Sequence, residues 1–401
     1  MKKRTMRLGC ILLSTVLLGT AALTGCRQTK KNTTDTKKTE SSSTKGSAKE
    51  KKGPEIDGLT YESTMDLEYA EGFQVYYYKD GYKMIDIKGD AKFLVVPENQ
   101  DVPDGAEEDY LILQQPLDHI YLAATSAMAL FNAIDSLDNI TMTGTQASGW
   151  YIENAVKAME DGKMKFAGKY SEPDYEKIVD GDCKLAVEST MILHSPKVQE
   201  MIEDLDIPVF VDYSSYESHP LGRTEWIKVY GAMLNKEKEA EAFFDDQAKV
   251  IEELKDFKNT EKTVAYFYIN TDGSVVVRKS DDYIPTMIEI AGGRYVFKDL
   301  KNSEGNAPSV KLTMEEFYAT AVDADYLIYN GTIDGQVSSL GDLEAKSNLF
   351  AEFKAVKDGN VWYTGKNLYQ ATDTVGELIS DIHLMLTDGD ASQMTFLEKM
   401  K

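Results

Sequence analysis

The run Lys236–Phe257, KEKEAEAFFDDQAKVIEELKDF, contains no glycine or proline and is rich in Glu, Ala, Lys and Asp. Within it Ala240, Phe244, Ala248, Ile251 and Leu254 recur at spacings of four or three, the register of one helix face. The spacing predicts a single long helix with its own apolar stripe. On its N-terminal side, strand-like and helix-like runs alternate. Ile120-Tyr121-Leu122 reads as a short buried strand, and Ala123–Ala133 follows with helical spacing that Thr125 or Ser126 would cap. Cys183–Val187 reads as a strand, Pro196–Leu205 as a helix, Ile207–Val211 as a strand and Arg223–Leu234 as a helix. On the C-terminal side the alternation restarts: strand Val264–Ile269, helix Asp282–Ala291, strands Tyr326–Tyr329 and Val361–Tyr363, and a closing helix Val375–Leu386. Such alternation points to layered α/β halves with mainly parallel sheets. The expected class is therefore α/β, two three-layer lobes joined by one long rigid helix. Before them, Leu59–Val96 is β-prone: Phe73–Tyr78 is a strand, Lys79-Asp80-Gly81 a turn, and Tyr82–Ile87 alternates. That adds a β-rich N-terminal extension.

The first residues are of another kind. Lys2, Lys3, Arg4 and Arg7 precede an apolar run, Leu8–Leu23, which ends in Leu23-Thr24-Gly25-Cys26. This has the form of a secretory signal, and the run is too short and too near the start for an ordinary membrane span of about 20 residues. The Leu, small residue, Gly, Cys order resembles a lipobox, which implies cleavage before Cys26 and its lipidation. Cys10 would leave with the signal, so Cys26 and Cys183 remain, and an acylated Cys26 leaves no intramolecular disulfide. Residues 27–53 are mostly Lys, Thr and Ser, too polar to offset the entropy of ordering, and read as a disordered tether. The expected division is 1–25 signal, 26–53 lipidated Cys and tether, 54–234 first lobe with its β-rich start, 235–258 helix, and 259–401 second lobe. A body of about 350 residues exceeds one ordinary core, which agrees with two lobes.

Charge narrows the partners. The chain carries −23; the signal holds +4 and the tether +6, so the body from Pro54 onward carries −33. A body this acidic repels nucleic acid and anionic lipid, and nucleic-acid binding is discarded. The basic tether suits anionic headgroups.

The order of parts, lipobox, tether, α/β lobe, one long helix, α/β lobe and final helix, resembles the substrate-binding lipoproteins of ABC importers that use a single inter-lobe helix. The iron–siderophore, haem and cobalamin binders are of this type. Gly168-Lys169-Tyr170-Ser171-Glu172-Pro173-Asp174-Tyr175-Glu176-Lys177-Ile178 is similar to the family's Gly…Asn-x-Glu-x-Ile segment. Ala291-Gly292-Gly293-Arg294-Tyr295-Val296-Phe297 is similar to its Ala-Gly-Gly-x-Asn-x-Phe turn, with Tyr for Asn, and Thr313-Met314-Glu315 to its Ser-x-Glu helix start, followed by Ala324–Ile328. The resemblance covers residues from about 110 to 399. It implies an extracytoplasmic monomer that captures a ferric siderophore, haem or a corrinoid between the lobes, carries no resident cofactor, and passes its ligand to a permease. By position it implies that Glu176 and Glu315, one per lobe, dock on basic permease pockets; two carboxylates on separate lobes would fix orientation. The tether favours a Gram-positive surface over a periplasm.

In a two-lobe architecture the ligand is expected in the cleft, at loops after the strands. Candidates there are Thr125 and Ser126 at a helix start, Trp150 in a Gly-bordered turn, and the loop 212–226 with Tyr213, Tyr216, His219 and Arg223. The second lobe offers Arg278, Asn330 and Tyr369. Tyr and Trp provide flat amphipathic faces, and Arg223 either pairs with an anionic chelate or with a neighbour such as Glu217 or Glu225. His194, Glu217 and His219 form the alternative, a site for a bare divalent metal. The sequence has no Gly-x-Ser-x-Gly, no His-Glu-x-x-His and no P-loop. An exported hydrolase is the distant rival, with an adhesin beside it; the expected class is not an enzyme.

Overall fold

The computed structural model describes residues 53–300, 308–333 and 337–401. The signal, the Cys26 acceptor and the tether up to residue 52 lie outside the described residues. The first described unit is a five-stranded sheet: β1 (Tyr61–Thr64), β2 (Phe73–Tyr78), β3 (Lys83–Ile87), β4 (Lys92–Val96) and β5 (Leu111–Gln114). The first four strands pair antiparallel and the last pair is parallel. Lys79-Asp80-Gly81 makes the hairpin turn with positive φ at Asp80 and Gly81, which the short Asp side chain and the missing Cβ of Gly tolerate. Alternation divides the sheet's faces. Phe73, Val75, Ile85, Phe93 and Val95 enter the main core, while Tyr78, Met84, Leu94 and Val96 build a separate outer cluster.

The N-terminal lobe follows: β6 (Ile120–Leu122), α1 (Thr125–Ala133), β7 (Ile140–Thr143), α2 (Glu153–Glu160), β8 (Lys165–Phe166), a small hairpin of β9 (Gly168–Lys169) and β10 (Glu172–Pro173), α3 (Tyr175–Asp180), β11 (Leu185–Ser189), α4 (Pro196–Glu203), β12 (Val209–Asp212), α5 (Pro220–Glu225) and α6 (Ile227–Leu234). Its sheet runs in the order β12-β11-β6-β7-β8, all parallel. Two expectations shift here. The strand expected at Cys183 begins at Leu185 because Asp182 turns at positive φ and the Cys183 amide bonds back to the Ile178 carbonyl, closing α3. The helix expected at Arg223–Leu234 is two helices, and the first starts earlier, at Pro220, whose fixed φ and missing N–H suit a first helical position.

α7 (Glu237–Leu254) runs between the second sheet and the third in sequence. Ala240 and Phe244 are buried, and Ala248, Ile251 and Leu254 pack on the core, so the stripe read from spacing is the buried face. Full burial of a Phe such as Phe244 contributes about 2–3 kcal/mol. The C-terminal lobe contains β13 (Thr263–Ile269), β14 (Val275–Arg278), α8 (Tyr283–Ile290), β15 (Arg294–Tyr295), β16 (Ser309–Leu312), α9 (Met314–Ala321), β17 (Tyr326–Asn330), α10 (Leu340–Lys346), α11 (Lys354–Lys357), β18 (Val361–Thr364), α12 (Val375–Leu386) and β19 (Leu397–Lys399). Its sheet order is β16-β14-β13-β17-β18-β19, with β15 also on β13. The centre β13-β17-β18 is parallel, whereas β14, β16 and the terminal β19 are antiparallel additions that alternation alone did not reveal. Among the described residues no helix is long and apolar enough to cross a membrane.

The extension is fastened by polar side chains. Lys83 Nζ, buried, donates to the Ala232 carbonyl at 2.8 Å and to Asn235 Oδ1 at 2.6 Å, and pairs with Glu237 at 2.6 Å. Gln115 Nε2 donates to the Met233 carbonyl at 2.7 Å. Both side chains satisfy carbonyls that the end of α6 leaves without intrahelical partners, where Asn235 takes the left-handed cap conformation.

Candidate functional site

Between the two α/β lobes lies an open cavity of about 520 Å³. The N-terminal lobe lines it with Ser215–Ser218 and Arg223, and the C-terminal lobe with Arg278–Tyr283 except Ser280. Arg223, in the short helix α5, lays its guanidinium 4.0 Å from the Tyr283 ring centroid and donates to the Ser215 carbonyl at 3.1 Å. Among the described residues no carboxylate forms an ion pair with it. Arg278, at the end of β14, stands 5.7 Å from the same ring. Its Nη1 is 3.5 Å from Asp282 Oδ2, a charge contact rather than a tight hydrogen bond. Burial opposes the Arg278 charge, but Asp282 and the nearby phenols outweigh it and hold the group above the ordinary arginine range. Asp282 caps α8 through the Ile284 amide at 3.1 Å, and burial raises its pKa despite Arg278. Thus one ring is flanked by a cation from each lobe.

The loop 212–226 is dense in polar groups for a second reason. Glu217 is buried, and its carboxylate accepts from the Gly72 amide at 2.8 Å, the Glu71 amide at 3.0 Å and Trp226 Nε1 at 2.9 Å. Glu225, also buried, accepts from the amides of Glu68, Tyr69 and Ala70 at 2.9, 2.8 and 2.7 Å, and pairs with Lys228 at 3.1 Å. The two acids therefore clamp residues 68–72 of the extension against the lobe. His219 Nδ1 accepts from the Leu221 amide at 3.2 Å, capping α5, and the ring stacks on Tyr69 at 4.3 Å. Burial lowers its pKa, which keeps the accepting nitrogen unprotonated. His194 is exposed at the end of a 3-10 turn. The alternative metal set is thus not assembled: Glu217 has both oxygens occupied, His219 serves as a cap, and among the described residues no group of three or more His, Cys, Asp or Glu could hold an ion.

Tyr216 is 56 % exposed beside the cavity, and Tyr213 packs near it with ring centroids 6.1 Å apart. Five expected residues lie elsewhere. Thr125 and Ser126 open α1 without making a side-chain cap. Trp150 is buried, and its Nε1 has no hydrogen-bond partner among the described residues. Tyr369 meets Tyr151 edge-on at 6.3 Å. The adjoining Gln370 side chain donates to the Gly149 carbonyl at 2.7 Å and accepts from the Tyr151 amide at 2.8 Å. With the Thr224 hydroxyl donating to the Thr372 carbonyl at 2.9 Å and the Thr286 hydroxyl to the Ser218 carbonyl at 3.4 Å, these bonds tie the lobes together. Asn330 is buried at the end of β17, where Oδ1 accepts from the Thr332 amide at 3.1 Å and holds a turn. Lys279 and Asp282 line the cavity and were not singled out from sequence. The available signal was the run Arg278-Lys279-Ser280-Asp281-Asp282-Tyr283, a charge cluster ending in a helix cap. Glu176 and Glu315 are exposed, each in the first turn of a capped helix.

A family model described as periplasmic binding protein matches residues 123–368. The chain belongs to the periplasmic binding protein family. Its members are binding proteins, so the family points away from an enzyme. The match begins after β5, so the whole five-stranded extension lies outside it. An uncharacterized lipoprotein of Methanocaldococcus jannaschii is 28% identical over 342 residues, covering 77% of this chain and 78% of that protein. A periplasmic binding protein from Veillonella parvula superposes with a TM-score of 0.55 at 16% identity, over 75% of this chain and 96% of its own. A possible iron-binding, periplasmic solute-binding protein from Staphylococcus epidermidis gives 0.53 at 17% identity, over 67% and 98%. The periplasmic heme binding protein of Vibrio cholerae gives 0.53 at 13% identity, over 65% and 97%. The solved structures show a common two-lobe fold.

Proposed function

We propose that this member of the family is the extracytoplasmic receptor of an ABC importer, anchored through a lipid on Cys26, and that it captures an anionic metal chelate in the inter-lobe cavity. Ferric siderophore, haem and corrinoid are the ligand classes considered. The observation that supports this reading above others is the pair of guanidiniums, Arg223 and Arg278, that reach the Tyr283 ring from opposite lobes. In a body of net −33, two converging arginines select for negative charge, and Arg223, whose charge reaches Asp212 and Asp282, makes no direct ion pair among the described residues. Tyr283 and Tyr216 add flat faces for a large conjugated ligand. A bare metal ion is disfavoured, because the acids near the cavity are engaged by amides or cations. Glu176 and Glu315 would carry the permease contact, since each is exposed and held at a helix start.

The test is a titration of tryptophan fluorescence against ferric siderophores, haemin, cobalamins and divalent metals. Trp226 bonds Glu217, a residue of the cavity wall, so a coloured ligand bound there quenches it. Saturable quenching by an iron chelate or tetrapyrrole at micromolar concentration supports the receptor reading and names the ligand class. A response to bare metals alone, or to nothing in the panel, overturns it.

A further inference from the structure

We infer that the bound chelate is large enough to cross the Tyr216-Glu217-Ser218 segment, and that its outer part rests in a second subsite whose far wall is the N-terminal sheet. This rests on the receptor reading above. A second open cavity of about 410 Å³ adjoins that segment, and Tyr216, Glu217 and Ser218 line both. Its remaining walls are Tyr213 and Leu193 from the N-terminal lobe, and Glu71, Gly72 and Lys88 from the extension. The extension precedes the family match at residue 123, so this wall lies outside the part of the chain that the family model matches.

The lining has the character of a ligand surface. Leu193 is 46 % exposed and Tyr216 is 56 % exposed, large apolar faces left uncovered in the lining of one cavity. Lys88, exposed on the β3–β4 turn, has no ion pair among the described residues despite the acidity of the body. The wall is also held in place. The Lys88 amide donates to the Gly72 carbonyl at 3.0 Å, and the Gly72 amide donates to the buried Glu217 at 2.8 Å. Turn, strap and cleft loop are therefore one hydrogen-bonded unit, positioned before any ligand arrives. Ligand sites commonly enclose about 300–1,000 Å³, and the first cavity of about 520 Å³ sits in the lower half of that range. A ligand that also fills the second cavity is an extended one. Aromatic and aliphatic faces beside one ammonium, Lys88, and one exposed carboxylate, Glu71, fit an extended aromatic arm that carries both acceptor and donor groups, such as a catechol amide.

The experiment compares a compact chelate, ferric tris(acetohydroxamate), with two extended ones, a ferric tricatecholate siderophore and haemin, on the whole chain. The variants are Leu193→Asp and Lys88→Glu, both exposed, with Arg223→Ala as the variant that acts in the first cavity. The inference expects Leu193→Asp and Lys88→Glu each to weaken the extended chelate that the wild type binds by about tenfold or more, with melting temperature unchanged and any binding of the compact chelate changed less than about twofold. Wild-type binding of an extended chelate that neither variant disturbs, or that falls equally for compact and extended chelates, overturns the subsite alone. A wild type that responds to none of the three while the Arg223→Ala protein behaves identically overturns the receptor reading and this inference with it.

Discussion

Replacing Glu188 by Gln is expected to stabilise the protein, increasingly so as pH rises from about 4.5 to about 8. Glu188 lies in β11 and is fully buried. Alternation turns its side chain, with that of Ala186, toward the apolar cluster of Tyr121, Ile178, Ile202 and Val211. Neither carboxyl oxygen has a hydrogen-bond partner among the described residues, and burial alone raises the pKa from 4.5 to about 8. Below the unfolded value both states hold the proton, and its contribution to stability is complete. Between the two values the unfolded chain releases a proton that the folded protein keeps, so folding loses about 1.4 kcal/mol per pH unit. Integrated from 4.5, that is on the order of 3 kcal/mol at pH 7 and 5 kcal/mol above the folded pKa. Gln retains the shape and buried polarity without the titration. Urea unfolding of both proteins at intervals from pH 4.5 to 9 measures the difference, with equal m-values confirming a common unfolded state. A Glu188→Gln advantage that stays flat across that range refutes a desolvated, neutral Glu188.

Three other outcomes are expected. Glu225→Ala removes the acceptor for three backbone amides and one partner of the buried Lys228, leaving Lys228 with Glu241 at 3.3 Å; thermal unfolding is expected to show a loss of about 3–5 kcal/mol, and a change below about 1 kcal/mol would contradict the clamp. Arg223→Glu places a carboxylate against Tyr283 and is expected to weaken an anionic chelate by at least about tenfold in a fluorescence titration, more at low salt than at high salt. Glu176→Lys with Glu315→Lys is expected to leave solution affinity within about twofold while abolishing uptake in cells carrying the permease, and normal uptake would sink the docking assignment.

The parts of the fold that were legible in the sequence are those whose period is set by a single surface. α7 buries one stripe against the core, so Ala240, Phe244, Ala248, Ile251 and Leu254 announced it, and the error in its ends is the usual fraying of a turn. The parallel strands β11, β12, β13 and β17 appeared as short apolar runs because both of their faces are largely buried. The antiparallel edges were hidden. β14, Val275–Arg278, and β16, Ser309–Leu312, are four-residue strands whose membership depends on a neighbour distant in sequence, and β19 follows a helix that looked like the end of the fold. Pairing of this kind leaves no local period to read.

The loop 212–226 shows why the candidate site was only partly legible. Its density of Tyr, Glu, His, Arg and Trp is real, but the same composition serves two tasks that sequence cannot separate. Glu217 and Glu225 are consumed by backbone amides because a strap from 140 or more residues earlier must be held through its own unsatisfied N–H groups, and His219 is consumed by the Leu221 amide as the cap of α5. Arg223 and Tyr216, in the same loop, are left to face the cavities. The acids that hold the strap and the half-buried arginine with a ring beneath it are told apart by their partners, and those partners come from the extension and from the other lobe. The two tasks also depend on each other. The carboxylate that fastens the strap belongs to the segment over which an extended ligand would lie, so an unclamped strap would loosen the wall and the sill together. An N-terminal sheet outside the family match is therefore tied to the cleft through Glu217 itself, and under the proposed subsite its effect on ligand choice would follow from that bond rather than from its distance along the chain.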